Sequence, residues 1–231
     1  MTAPRLPIRI DAVARQFDRR VDRIARHDEL LREVGRRLAS RLEYIRLAPQ
    51  RILDVGCGRG EWLEVLKEAG LQAQGVDSNR VLVERCKSLS LDVSETEALV
   101  HLHSLAENTL DAVTAFHFVE HLAVKTLVRF LDEVCRALKP GGIFILETPN
   151  PENLLVGSCN FYLDPTHKHP IPIQTMELIL EARGFLIQDV MKLHPVKDVQ
   201  IEVKDQLTSH LNHFLYGPMN YAVVARKPEI Q

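Results

Sequence analysis

The strongest constraint on the fold of this chain is an alternation of short apolar runs with helical periodicity that begins at Arg51. Such alternation is typical of β-α-β units, in which helical crossovers join parallel strands. Right-handed crossovers place helices on both faces of the sheet and bring ligands to the carboxyl ends of the strands. The sequence therefore predicts an α/β, doubly wound, mainly parallel seven-stranded sheet, with strands at residues 51–55, 72–76, 91–93, 110–116, 142–148, 185–193 and 221–226. The predicted helices cover residues 61–69, 80–87, 96–105, 124–138 and 173–182.

The first fifty residues differ from the remainder of the chain in charge and periodicity. Residues 1–51 contain thirteen Arg and seven Asp or Glu, a local net charge of +6, and the total of −2 leaves −8 for the other 180 residues. Apolar residues from Val13 to Ile45 recur every three, four or seven positions, which predicts one long amphipathic helix, or two with a break near His27 and Asp28, in an extension over residues 1–50. This helix could cover the domain of residues 51–231, contact a homodimer partner, or present a basic surface to an acidic partner or a membrane. The sequence leaves these three alternatives open.

Composition and cysteine spacing exclude several classes of protein. With 45% hydrophobic and 26% charged residues the chain is not disordered, and no window approaches the roughly 18 apolar residues of a membrane span. The first eleven residues lack the apolar run of a secretory signal, so we expect a cytoplasmic protein. The four cysteines form no C-x-x-C pair, which argues against a disulfide framework and a thiolate zinc site. Nucleic-acid binding is not expected, because the Arg-rich segment lacks interleaved aromatic residues.

A glycine-rich loop follows the first predicted strand and opens the first predicted helix. Residues 54–61 read DVGCGRGE, and glycines at this spacing let the backbone turn sharply and approach a ligand. The spacing matches neither the dinucleotide fingerprint G-x-G-x-x-G nor a P-loop. A carboxylate at the strand end would repel a pyrophosphate but can pair with the amino group of a methionine-like cation, which favours S-adenosylmethionine over NAD. The loop residues predicted to bind this cofactor are Asp54, Gly56, Cys57, Gly58 and Gly60.

Two further acidic positions fit the same cofactor. Asp77 ends the second predicted strand about twenty residues past the loop, where a carboxylate can accept both ribose hydroxyls. The alternative for Asp77 is a helix cap before Arg80. After the third strand, Glu97 is favoured over Glu95 as the carboxylate beside the adenine amino group, and the alternative is an acidic residue that only stabilises a helix start.

In combination, the loop and the acidic pair resemble the class I S-adenosylmethionine-dependent methyltransferases, over residues 51–227. The segment ALKPGG at residues 137–142 also resembles the stretch before the fifth strand in that family. The resemblance implies a Rossmann-like fold and S-adenosylmethionine as cofactor. It places Phe116, His117, Glu120 and His121 near the sulfonium, with the first two as cofactor contacts. Because TAFH stands at residues 114–117 instead of the Asn/Asp-Pro-Pro-Tyr/Phe motif, methylation of base amino groups is disfavoured.

The longest aperiodic stretch, residues 149–172, follows the fifth predicted strand. Long loops at the ligand edge of such a sheet are usually functional. We predict that His167 acts as a general base oriented by Asp164, with Tyr162 and His121 lining the acceptor pocket.

An ionised acceptor such as a phosphate would depend more on anion-holding residues, for which Lys168, His169 and Arg183 are candidates. The pair His167 and His169 could bind a metal, but the loop lacks a standard ligand spacing. No metal site is therefore predicted from the sequence.

Two finer resemblances suggest different acceptors. FYLDPTH at residues 161–167 and the tail at residues 211–223 look like methyltransferase domains of bacterial polysaccharide assembly, including those that cap O-antigen chains. This resemblance implies O-methylation of a sugar hydroxyl or a terminal phosphate of a saccharide. Residues 17–49 are similar to the N-terminal helix of malonyl-carrier-protein methyl ester synthases, which implies an acidic carrier protein or a small carboxylic acid as acceptor. A third alternative is a non-catalytic cofactor-binding scaffold.

Overall fold

The described part of the chain begins just before the first strand of the sheet. The computed structural model describes residues 49–196 and 199–229. The helix predicted from Val13 to Ile45 lies outside the described residues, so its three alternative roles stay predictions. In the described part no helix has the length and apolar character needed to cross a membrane.

Seven strands form one sheet in the order β3-β2-β1-β4-β5-β7-β6. Neighbouring pairs among the first five strands are parallel, whereas β7 runs antiparallel to both β5 and β6 between which it lies. The predicted seven-stranded, mainly parallel, doubly wound fold is thereby confirmed. The strands are β1 (Ile52–Val55), β2 (Ala73–Asp77), β3 (Val93–Glu95), β4 (Leu110–Phe116), β5 (Leu138–Pro149), β6 (Leu186–Pro195) and β7 (Pro218–Arg226).

Helices cover both faces of the sheet, and the strands are apolar for that reason. All four residues of β1 are buried, as expected for a parallel strand packed on both sides. The longest helix of the described residues, Val124–Ala137, presents Leu127, Phe130, Leu131 and Val134 as a fully buried stripe at helical spacing. The helices are α1 (Glu61–Glu68), α2 (Arg80–Ser88), α3 (Ala98–Ser104), α4 (Val124–Ala137), α5 (Leu154–Ser158), α6 (Ile173–Ala182) and α7 (Gln206–Tyr216).

Two helices were not predicted. The stretch of residues 149–172, which was predicted to be a long loop, contains α5 and a 3-10 turn, Asn160–Leu163. Five residues are too few to show a helical period, and α5 is instead started by Asn153, whose side chain accepts hydrogen bonds from two helix amides. The second is α7, which Asp205 caps; it buries only Asn212 and leaves Leu207 and Phe214 exposed.

The carboxyl ends of β1, β2, β4 and β5 lie on one edge of the sheet, called here the ligand edge. The first residues of β7 join this edge, because Asn220 pairs with Pro149 and Tyr221 with Thr148. Loops from five strands therefore converge where the sequence predicts a site.

Candidate functional site

Asp54 lies at the ligand edge as a buried carboxylate, only 2% exposed. It accepts a hydrogen bond of 2.7 Å from the Thr114 hydroxyl, which in turn accepts one of 3.1 Å from the Trp62 indole. Burial raises the pKa of Asp54 to about 7; the Thr114 bond opposes this shift and the nearby Asp77 charge adds to it. A cation beside the carboxylate would stabilise its charged form, so Asp54 suits the positively charged amino group of a bound amino acid moiety.

The glycines of the loop, called here the glycine cradle, include two positions that no larger residue fits. Gly56 and Gly60 have φ of 67° and 88°, in the left-handed region that favours glycine. A Cβ would lie 2.8 Å from the Phe118 ring at Gly56 and 2.6 Å from Leu91 at Gly60. The backbone conformation and the packing inside the protein therefore both require glycine at these two positions.

Asp77 ties the end of β2 to this loop. One carboxylate oxygen accepts the amide of Gly58 at 3.0 Å and the other accepts that of Asn79 at 2.8 Å. Asn79, not Asp77, caps α2 by accepting hydrogen bonds from Val81 and Leu82, so the capping alternative for Asp77 is wrong. Each oxygen keeps a lone pair that can accept a ribose hydroxyl.

The other predicted cofactor residues lie around the loop and differ in how far they are buried. Cys57 is buried beneath it against Cys86, whose thiol lies 3.4 Å from the Gly58 carbonyl oxygen. Phe116 packs edge-on against Trp62, with ring centroids 5.5 Å apart. Glu97 is exposed before α3 with no side-chain capping bond, so its adenine contact stays a prediction.

His117 follows β4 and lies between two buried glutamates. Its Nδ1 is 3.2 Å from Glu120 and its Nε2 is 3.4 Å from Glu147. Burial alone would lower the pKa of His117, but the two carboxylates outweigh it and raise the pKa to about 10. The side chain predicted as a cofactor contact is thus an imidazolium that balances two buried charges.

The sequence did not predict three further residues of this charge cluster, namely Glu147, His194 and Asn220. Glu147 ends β5, and besides His117 it contacts His194 at 3.4 Å and accepts a 2.8 Å hydrogen bond from the Asn220 amide. Burial alone would raise the pKa of Glu147, but its bonds from His117 and His194 lower the pKa to about 2. His117 follows β4, whereas the other three lie on β5, β6 and β7, so no local motif could show that they meet.

His121 and His167 lie side by side, with ring centroids 4.8 Å apart. His167 Nδ1 is 2.6 Å from the Phe161 carbonyl oxygen, whereas Asp164 lies 3.9 Å from His167 Nε2, too far for a hydrogen bond. The prediction that Asp164 orients His167 is therefore wrong. Asp164 instead accepts the Thr166 hydroxyl at 2.6 Å, and that hydroxyl is 2.9 Å from His121 Nδ1.

Other predicted acceptor residues are not gathered in this cluster. Tyr162 is 61% exposed and contacts Phe161 edge-on. Arg183 pairs with Asp132 at 3.3 Å just before β6 begins, which is the edge opposite the ligand edge. The prediction that Arg183 holds an acceptor anion is therefore wrong.

Glu120, His121 and His167 form the group in the described part of the chain that could hold a metal ion. One ligand atom from each lies within 4.8 Å of the others, and Glu120 is fully buried. The ligand edge thus has two parts. The segments that end β1 and β2 form a cradle for a nucleoside-linked amino acid, and the segments after β4 and β5 place a histidine–carboxylate group beside it.

The strand order with its antiparallel β7, the glycine cradle and the acids on β1 and β2 define the class of S-adenosylmethionine-dependent methyltransferases. The comparison with known proteins agrees. The chain belongs to the family of methyltransferase domains, whose sequence model matches residues 24–190. Its cofactor is S-adenosylmethionine, which the buried Asp54 carboxylate and the glycine cradle fit.

Individual relatives support this assignment. A crystal structure of a SAM-dependent methyltransferase from Archaeoglobus fulgidus is 34% identical, covers 85% of this chain and 94% of its own, and superposes with a TM-score of 0.74. The human mitochondrial ubiquinone biosynthesis O-methyltransferase is 31% identical over 203 residues, 80% of this chain and 52% of that protein. The enzyme of that name from Idiomarina loihiensis is 26% identical over 198 residues, 78% of this chain and 76% of that protein. The chain thus spans about half the length of the human relative.

Proposed function

We propose that this chain is an O-methyltransferase whose acceptor hydroxyl lies at Glu120, His121 and His167. When bound, S-adenosylmethionine supplies a methyl group made electrophilic by its sulfonium. The observation that carries the proposal is the pair of adjacent imidazoles at the ligand edge, 4.8 Å apart, after β4 and β5; of these, β4 lies directly beside β1 in the sheet.

The chain's own contribution is to hold the hydroxyl and take its proton. His167 Nδ1 donates to the Phe161 carbonyl, because a carbonyl oxygen can only accept; the neutral ring then keeps a lone pair on Nε2. That nitrogen is the proton acceptor in this proposal. Correct placement of a general base contributes about 10²- to 10⁴-fold in rate.

The favoured acceptor is a sugar hydroxyl of a saccharide. The loop beside the histidine pair carries polar groups that solvent reaches: Asp164 is half-buried, and Thr166 and Lys168 are exposed. A polyhydroxylated ring can exchange hydrogen bonds with such groups, and the exposed Tyr162 ring could pack on its apolar face.

A second acceptor class is a phenolic hydroxyl, which the names of the ubiquinone biosynthesis relatives favour. A malonyl-carrier protein or a small carboxylic acid remains a proposal that rests on residues outside the described part.

Labelled S-adenosylmethionine should be incubated with mannoside termini, a catechol and a malonyl-carrier protein in parallel. We expect label on the mannoside. Label on the catechol alone would show that the acceptor is a phenol and not a saccharide, and the proposed O-methyltransferase activity would stand.

His167→Ala should lower methyl transfer to a hydroxyl by about 10²- to 10⁴-fold, because it removes the proton acceptor. Transfer to an already ionised phosphate or carboxylate should stay within about tenfold, since no base is needed there. Single-turnover rates on both acceptor types measure the difference, with His103→Ala, at an exposed histidine of α3, as control. Equal losses on both acceptor types would contradict the base role of His167.

A further inference from the structure

We propose that Glu120, His121 and His167 form a binding site for one divalent transition-metal ion, with Zn²⁺ as the probe. The ion would sit where the proposed function places the acceptor oxygen, so its use in methyl transfer rests on that function. Binding of the ion can be measured without any acceptor.

The three side chains come from two loops that the fold brings together. Glu120 and His121 form the short 3-10 turn Val119–His121 after β4, and His167 belongs to the long loop after β5. The Lys168 amide donates to the Glu120 carbonyl at 2.8 Å, which fixes the two loops to each other. One ligand atom from each residue already lies within 4.8 Å of the others. Ligands of one zinc ion are roughly 3.3 Å apart, given bonds of about 2.0–2.1 Å, so side-chain shifts of about 1 Å close the site.

His167 is held in the tautomer that a metal requires. Its Nδ1 lies 2.6 Å from the Phe161 carbonyl oxygen, an acceptor that obliges Nδ1 to carry the hydrogen. In the neutral ring Nε2 then has a free lone pair. Donation of the second ring N–H to a carbonyl is the common way in which metal-binding histidines are oriented.

His121 is held in the same tautomer by a relay of two side chains. The Thr166 hydroxyl has one hydrogen, which it donates to Asp164 at 2.6 Å. Its contact of 2.9 Å with His121 Nδ1 must therefore be donated by the imidazole, which leaves Nε2 as the lone-pair nitrogen. This relay gives Asp164 a role that differs from the predicted orientation of His167.

Glu120 completes the set with a fixed carboxylate. One oxygen faces His117 Nδ1 at 3.2 Å and the other accepts the Thr148 hydroxyl at 3.0 Å, and each oxygen has a further lone pair. Two imidazoles and one carboxylate favour a transition metal over Mg²⁺, which prefers oxygen ligands. Three protein ligands leave a coordination position for an acceptor hydroxyl. With the ion bound, the His167 Nε2 lone pair is used in coordination and cannot take the proton, so the ion would replace the base by lowering the pKa of the hydroxyl, whose proton is released to water.

The test is a calorimetric titration of the chelator-treated full chain with ZnCl₂. We expect one site, with Mg²⁺ binding more weakly. His167→Ala and His121→Ala should each weaken Zn²⁺ binding by at least about 100-fold, and Thr166→Val, which only breaks the relay, by roughly 10- to 100-fold. His169→Ala should bind Zn²⁺ as the wild type does. Each variant should bind S-adenosylhomocysteine within about threefold of wild type, which shows that it is folded.

Wild-type protein that does not bind Zn²⁺, or that binds it as tightly as His167→Ala does, would overturn the site. Metal-free wild type that methylates its acceptor at the full rate would overturn the use of the ion while leaving the proposed O-methyltransferase intact. Zn²⁺ binding that follows the expected pattern in a protein that methylates no hydroxyl would remove the proposed function and keep the metal site.

Discussion

Replacing His117 with alanine should destabilise the folded protein by about 2–3 kcal/mol. Removing one partner of a buried ion pair costs about 3–5 kcal/mol, because the remaining charge is buried without compensation. Here two carboxylates, Glu120 and Glu147, lose their shared cation. The His117 side chain is 38% exposed, so water screens part of the interaction, and we expect a loss of about 2–3 kcal/mol instead.

Thermal unfolding measures this effect, with an expected fall in Tm of roughly 4–12 °C for a protein of this size. His103→Ala is the matched control, since that side chain is 83% exposed and faces a single glutamate, Glu133. Adding Glu147→Gln to His117→Ala should recover part of the loss, because it removes one of the two buried carboxylates that faced His117. A Tm unchanged within about 1 °C in His117→Ala would show that the two glutamates do not depend on this imidazolium.

Asp54→Asn should weaken binding of S-adenosylhomocysteine by roughly 30- to 700-fold. Loss of one partner from a buried, hydrogen-bonded charge pair costs about 2–4 kcal/mol, which corresponds to that range. Asparagine keeps the shape and can still accept the Thr114 hydrogen bond, so the fold should be preserved. Asp92→Asn, at an exposed carboxylate before β3, is the control and should bind the ligand as the wild type does.

The same carboxylate predicts how binding depends on pH. Asp54 has its pKa raised to about 7 in the free protein, so it is mostly protonated below pH 7 and charged above it. The cationic amino group of the ligand pairs with the charged form, hence affinity should rise as pH increases from 6 to 8, and protons should be released on binding. Calorimetry in buffers of different ionisation enthalpy detects this release. The same pH dependence in Asp54→Asn would assign the titration to another group.

The cofactor half of the ligand edge was predictable because its signals are local. The glycine cradle occupies one turn between β1 and α1, and Asp54 and Asp77 stand at the ends of apolar runs that read as strands. Both positions follow from strand periodicity and loop spacing within about twenty-five residues. Thr114, which binds Asp54 from β4, lies sixty residues away and gave no such signal.

The acceptor half was only partly predictable, because tertiary contacts decide its hydrogen bonds. The loop after β5 was correctly predicted to bring His167 to the ligand edge beside His121. Proximity in sequence suggested Asp164 as the partner of His167, yet the turn directs Asp164 to Thr166 and supplies the Phe161 carbonyl to His167. Glu147 ends an apolar strand and gave no sign of its neighbours from β6 and β7.

Transfer of a ¹³C-labelled methyl group from S-adenosylmethionine, followed by NMR of the product, tests most directly whether this chain methylates oxygen at the histidine pair. The wild type should give an O-methyl carbon signal on a mannoside or phenolic acceptor, and His167→Ala should give at least about a hundredfold less in the same time. An N-methyl or C-methyl product, or equal O-methyl product from His167→Ala with unchanged cofactor affinity, would contradict the assignment of the acceptor hydroxyl to Glu120, His121 and His167.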